Sequence, residues 1–325
     1  MLAVSVGRAT RIETALTRQM IGRIQAKGYA RAGLIYAIQQ IRLDSLDAAS
    51  SSEDSLYYCG LKKDFEGSLK DVFHQPMGED GFFTIGREGE YGLQDEERRL
   101  NLNAINPQNV NAFVALLELF DVETDVAKQI AFSLIDWKDP DDNLSDSSYG
   151  AEKDYYTGLS RSYQPKNMFL DSVEELLLVR GMTEDIFKKI KPFVTIFPKQ
   201  GLLYVNFNTA SDEVLRSLAR SVASTQANMA LSDADSLVEQ ILNCRRGEDG
   251  IEGTADDKSV ELTNMSLNNR EHALFVTLNQ YRTLKSNYFR VHSQGTAGSR
   301  KVKMVIEVIV DRNSSSIVAL KMGSS

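Results

Sequence analysis

Three runs decide the fold: LNLNAINPQNVNAFVALLELF at 100–120, IDWKDPDDNLSDSSYGAEKDYY at 135–156 and PKNMFLDSVEELLLVRGM at 165–182. In order they read as a helix, an acidic loop, and a second helix ending at Gly181. The same order returns in shorter form as VNFNTASDEVLRSLA at 205–219, followed by GEDGIEGTADD at 247–257. Both helical starts are rich in asparagine, whose side-chain oxygen can accept the N–H groups that a first turn leaves unpaired. The residues before Asn101 and after Tyr281 read differently. A helical block spanning 101–282 is therefore expected inside another domain.

Within the block, apolar residues recur at helical spacing over Val110–Phe120 and Val122–Trp137. A third helix is expected over Ser172–Arg180, closed by Gly181 as a C-cap. A fourth runs from Thr183 to Lys191, where Pro192 stops it. Ser211–Ser221 and Asp233–Arg245 supply two more, and 266–283 reads as helix then strand. The block is expected to be all-α, in two sub-units at 103–199 and 203–282, with helix-hairpin-helix-like or SAM-like elements.

Outside the block, Ile12, Leu16, Met20, Ile24, Leu34, Ile35, Ile38 and Ile41 form one stripe on a long helix over Arg8–Leu43. Gly22, Gly28 and Gly33 each weaken such a helix by about 1 kcal/mol against alanine. A sheet laid over the stripe would hold it straight. Strands are expected at 56–61, 69–73 and 81–85, with another between Tyr91 and Leu102. Tyr288–Ser293 and Lys301–Val310 read as a hairpin across Gly295–Gly298, and Ser316–Leu320 as a last edge strand. A first part at 1–100 and closing strands at 283–325 thus make one α+β domain, a long helix on an antiparallel sheet.

The formal charge of −8 has the wrong sign for a protein that neutralises phosphates, so nucleic acid is not an expected partner. The two cysteines, Cys59 and Cys244, allow one disulfide or two separate thiols. With His74, His272 and His292 standing alone, structural zinc is not expected. No run reaches the roughly 18–20 apolar residues of a membrane span. Met1-Leu2-Ala3-Val4-Ser5-Val6 followed by bases reads as the end of an apolar run cut from its flank, or else as a basic soluble helix.

Two acidic loops are candidate cation sites. The first carries Asp136, Asp139, Asp141 and Asp142, with Glu152 behind; acids this dense repel one another unless a cation holds them. A hard cation takes six to eight oxygens, which such a loop can supply with carbonyls and water. The second offers Asp249, Asp256 and Asp257 among glycines that permit tight turns, without the spacing of an EF-hand. A solvated, helix-capping loop is the plain alternative for each. Leu178–Met182 and Val205–Ala210 resemble the hairpins of DNA-binding modules. Lys188, Lys189 and Lys191 beside them are ringed by Glu174, Glu175, Glu184 and Asp185, which favours packing over phosphate binding. No G-x-S-x-G, phosphate loop or H-E-x-x-H occurs, so no enzyme is expected.

ERRLNLNAINPQ, LIDWKDPDDN…GAEKDYY, PKNMFLDSVEELLLVRGM and LLYVNFNTASDEVLRSLA occur in that order between about Glu97 and Leu218. Together they resemble the type II secretion system protein K family of minor pseudopilins. The resemblance implies a pilin-like fold with a large inserted α-domain, and calcium bound in the inserted region. It implies a structural role at the tip of the periplasmic pseudopilus of Gram-negative bacteria, with minor pseudopilins I and J. Ile12, Leu16, Met20 and Ile24 are then the expected partner-binding stripe. The family's prepilin cleavage site and apolar membrane helix have no counterpart here. The expectation is a truncated form with Met1 at an internal position, its inner-membrane anchor missing. The alternatives are a periplasmic DNA-binding hairpin module and a tip pilin or adhesin of a type IV pilus.

Overall fold

The computed structural model describes residues 2–48, 68–87, 90–252, 256–298 and 301–323. The strand expected at 56–61 and Cys59 lie outside them. The chain divides into two compact units, one of residues 1–95 with 287–325 and the other of 96–286.

The first unit is built on α1, Leu2–Ala48. A sheet of described strands covers it, in the order β1 (His74–Pro76), β2 (Gly81–Arg87), β9 (Tyr288–Ala297), β10 (Val302–Asp311), β11 (Ser316–Gly323). The pairs along this path are antiparallel. Two short pieces complete it, β3 (Glu90–Tyr91) against β2 and β4 (Gln94–Asp95) against β9. The hairpin is in register from Asp311 opposite Tyr288 to Val302 opposite Ala297, so β9 is longer than the sequence indicates and β10 is shifted by one residue.

The side of α1 that meets the sheet takes only the later part of the stripe of large residues, Leu34, Ile38 and Ile41. Buried on it are Ala26, Ala30, Leu34, Ala37 and Ile41, whereas Ile12, Leu16, Met20, Ile24 and Ile35 are all at least half exposed. Small residues carry this face because the backbones approach closely. A Cβ on Gly295 of β9 would strike the Ala26 carbonyl and the Ala30 nitrogen, and one on Gly33 would strike Ser293 Oγ and the Phe83 ring. Ser293 Oγ donates to the Ala30 carbonyl at 2.8 Å, which accounts for a fully buried serine among apolar neighbours. Phe83, Ile85, Phe289, Val291, Ile306, Val308 and Val310 fill the rest of this core.

The segment expected as a strand at 69–73 is instead helical, α2, Ser68–Phe73. Leu69, Val72 and Phe73 satisfy helical spacing as readily as a strand run, and Phe73 is buried in the core. No helix among the described residues is long and apolar enough to cross a membrane.

The second unit begins with β5 (Leu100–Asn101) and continues through α3 (Val110–Leu119), α4 (Thr124–Lys138), α5 (Lys153–Thr157) and α6 (Glu184–Ile190). β6 (Val194–Thr195) and β7 (Val205–Asn206) precede α7 (Asp212–Ala223), α8 (Leu231–Arg245), α9 (Asn269–Leu278) and β8 (Arg282–Thr283). α3 packs on α4 and α7, and α7 on α8 and α9. The unit is not purely helical: β5 pairs in parallel with β6, and β7 with β8. The helix read over Ser172–Arg180 is a 3-10 turn at Val173–Leu178, opened by a Ser172–Glu175 capping box. Gly181 follows at a positive φ of 83°.

The asparagines at the two starts mostly act as long-range ties rather than caps. Asn103 donates to the Leu170 and Ile196 carbonyls and accepts from the Leu170 N–H. Asn101 reaches Pro198, Asn206 reaches Ser286, and Asn208 accepts from the Val260 N–H. Ser211, not an asparagine, caps α7.

Candidate metal centre

Trp137 near the end of α4 is 3% exposed and packs edge-on against Tyr156, which fixes the last turn of the helix in the core. Lys138 beside it is also buried and donates to the Leu102 and Ile105 carbonyls at 2.6 and 2.8 Å. Burial pushes its ammonium down to about 7. With Trp137 and Lys138 held, Asp136 points into the loop that follows. Its two oxygens accept the Ser145 N–H at 2.8 Å and the Ala151 N–H at 2.7 Å. Gly150 lets the loop fold this closely, since a Cβ there would collide with Asp136 Oδ2.

This fold brings three of the anticipated ligands together. One oxygen each from Asp136, Asp139 and Glu152 lie within 4.8 Å of one another. Two oxygens that share a cation at about 2.3–2.6 Å can be no more than about 5 Å apart, so the group fits a single hard ion. Both Glu152 oxygens and Asp139 Oδ1 are buried without any hydrogen-bond partner. Orphaned carboxylate oxygens are costly in a protein interior, and a cation is the partner that satisfies several at once. Asn167 donates its N–H to the Trp137 carbonyl at 2.9 Å, and its Oδ1 is likewise buried and unpartnered.

The electrostatics agree with the geometry. Burial first, then the neighbouring Asp136 and Asp139 charges, push Glu152 up to about 7. Burial with Asp136 and Asp141 raises Asp139 to about 6, and burial raises Asp136 as well. Asp141 and Asp142 are exposed; the Asp141 carboxylate accepts from the Asn143 backbone and side chain. Both add negative potential to the buried group, Asp141 at Asp139 and Asp142 at Glu152. All-oxygen donors with no histidine or cysteine suit calcium or magnesium rather than zinc.

In the second loop, Asp256 Oδ2 accepts the N–H groups of Glu248 and Asp249, and Asp249 Oδ1 accepts that of Ile251. Residues 253–255 of this loop lie outside the described set. Cys244 is a free, buried thiol. The bases near the hairpin are engaged: Lys188 pairs with Glu184 at 3.3 Å, Lys191 with Glu174 at 2.9 Å, and Lys189 donates to the Phe120 carbonyl. Sequence reasoning missed Gly150, Ser145 and Asn167. Their only signal was proximity to the acids.

Comparison with a solved structure gives the fold class first. The fold is that of a chain in the crystal structure of the GspK-GspI-GspJ complex from the enterotoxigenic Escherichia coli type 2 secretion system. That likeness has a TM-score of 0.63 and covers 98% of this chain and 100% of that one, at 20% identity. Within that class, residues 98–199 match the family described as type II secretion system (T2SS), protein K. The chain is 41% identical over 107 residues to type II secretion system protein K of Aeromonas hydrophila. It is 30% identical over 160 residues to the protein of the same description from Pectobacterium carotovorum subsp. carotovorum. The matches span 32% and 47% of those two relatives' lengths. The stretch that matches the family, 98–199, contains the three-carboxylate group.

Proposed function

We propose that this protein is a minor pseudopilin of the type II secretion system, a structural subunit at the tip of the periplasmic pseudopilus. In this reading the first unit is the pilin-like domain and the second is its inserted helical domain. Minor pseudopilins I and J are its partners, and it supports export of folded proteins across the outer membrane. The described domain works on the periplasmic side of the inner membrane.

The observation that carries the reading is the match to the protein K family at 98–199, set in a chain that shares its fold with a member of a GspK-GspI-GspJ complex. The exposed stripe Ile12, Leu16, Met20 and Ile24 supplies a face on which partner helices can bury apolar area. Co-purification of the chain with tagged I and J homologues from the same bacterium is expected. Crosslinking that distributed the subunit along the filament shaft would count against tip placement.

The same proposal assigns calcium to Asp136, Asp139 and Glu152, where it neutralises buried carboxylates and ties the end of α4 to the loop before α5. A second ion is assigned to Asp249, Asp256 and Asp257. No catalytic role is assigned to either.

A further inference from the structure

The face of the sheet turned away from α1 holds a basin in the first unit. Phe83 and Ile85 on β2, and Val291 and Ser293 on β9, point to the helix. Strand alternation therefore sends Phe82, Thr84, Gly86, His292, Gln294 and Thr296 to the other side. Gly86 has no side chain, and Tyr91 lies opposite it across the β2–β3 pair. Phe82 packs against His74 with ring centroids 4.5 Å apart and the rings tilted by 41°, making the other wall. The result is a cavity of about 300 Å³.

Its chemistry is one-sided. Arg87, Lys301 and Lys303 line it together with two imidazoles, two threonines and Gln294, and no described lining residue is a carboxylate. Glu307, opposite His292 on β10, is paired with Arg290 at 2.8 Å and lies 3.5 Å from His292 Nδ1. Thr296 is 2% exposed, lies opposite both Phe82 and Lys303, and its Oγ1 finds no hydrogen-bond partner. A buried hydroxyl left unpaired in a basic cavity is the mark of a donor waiting for an external acceptor.

We propose that this basin binds a phosphate-bearing ligand, its oxygens held by Arg87, Lys301, Lys303 and the Thr296 hydroxyl. A lone carboxylate is satisfied by one guanidinium. Three cations with added neutral donors match the greater charge and oxygen count of a phosphate ester. Phe82 and Tyr91 give the organic part of the ligand apolar walls. The phosphate belongs either to a soluble ester or to a lipid headgroup, and the two are separable.

The test uses the full chain and two probes. Glycerol 3-phosphate is titrated by calorimetry, and vesicles of phosphatidylglycerol are compared with vesicles of phosphatidylcholine by co-sedimentation. Binding in the first arm assigns a soluble ester, and binding in the second alone assigns a headgroup. Lys303→Gln alters an exposed side chain and leaves the core untouched, so folding is preserved. It is expected to weaken binding roughly tenfold or more. The near-isosteric Thr296→Val is expected to act in the same direction. Lys321→Gln on β11 makes the same charge change away from the basin and is expected to leave affinity unchanged. Absence of binding in both arms, or equal weakening by Lys303→Gln and Lys321→Gln, overturns the proposal.

Discussion

The Arg312 guanidinium meets the Asp44 carboxylate at 2.9 Å, with both side chains under a tenth exposed. Asp44 lies near the C-terminal end of α1 and Arg312 directly after β10, so the pair joins the two sequence-distant parts of the first unit. Arg312 also lies over the Phe289 ring. Removing one partner leaves the other charge buried, which costs about 3–5 kcal/mol. Asp44→Ala is therefore expected to lower the urea midpoint of the first unit sharply. An Asp44→Leu, Arg312→Met double variant is expected to recover much of that loss, because neither charge then remains.

The glycines of α1 and β9 are expected to separate by environment. Nothing lies within 4 Å of a Cβ built on Gly28. Gly28→Ala should raise stability by about 1 kcal/mol through helix propensity alone. Gly295→Ala drives a methyl into the α1 backbone and should destabilise by roughly 1–3 kcal/mol. Thermal melts of the two variants in opposite directions are the expected outcome; two shifts of the same sign would contradict the close approach.

Calcium addition is expected to raise the melting temperature, and chelation to reverse it. At about a hundredfold excess over Kd the stabilisation is about 2.7 kcal/mol. Glu152→Gln should remove most of this response while itself melting no lower in chelator, because neutralising Glu152 relieves repulsion from Asp136 and Asp139. Identical melts with and without chelator would remove the ion from the account.

Acid stability is expected to depend on Glu307. Beside the His292 ring and the Arg290 guanidinium, its carboxyl is held down at about 2. An unfolded glutamate titrates near ~4.3. The folded state thus keeps the charge where the unfolded state gains a proton. The contribution is fully present above about pH 4.3 and is lost as pH falls towards 2. Wild type should exceed Glu307→Gln in stability at neutral pH, and the gap should close across that acid window.

Met20 and Ile24 are 65% and 71% exposed. Met20→Glu with Ile24→Glu should leave the stability within about 0.5 kcal/mol of wild type in thermal melts, as exposed changes do. Co-purification with I and J homologues is expected to fall at the same time. Unaltered recovery of the complex would place the partner surface elsewhere.

The hairpin of β9 and β10 was legible because KVKMVIEVIV alternates, and α1 because helical spacing persists through its length. The packing face of α1 was legible only at Leu34, Ile38 and Ile41. Hydropathy weights Ile12 or Met20 above Ala26 or Ala30, yet the Gly295 approach demands small residues, and only the sheet makes that demand visible. β6 and β7 were missed for a different reason, since two residues are too few to display a period, whereas β5 and β8 fall within the strands expected between Tyr91 and Leu102 and at the end of 266–283. At the acidic loop, charge density pointed to three carboxylates that the fold groups together. The selection of Asp139 and Glu152 over Asp141 and Asp142 needed the turn at Gly150, which composition does not encode. The asparagines were read as local caps because capping is a short-range rule, whereas the bonds of Asn103 cross the sub-unit to Leu170 and Ile196.

Asp95, the last residue of the first part of the α1-centred unit, pairs directly with Phe289, two residues after the chain returns at Asn287. The exit and re-entry points are neighbouring rungs of one ladder, about 5 Å apart at the backbone. From the standpoint of the sheet, everything between them is topologically equivalent to a hairpin turn. The chain-closure cost of such a detour grows only logarithmically with its length. This junction is thus a socket that accepts cargo of almost any size, and a short glycine-containing turn in place of 96–286 should leave a self-sufficient miniature of the scaffold.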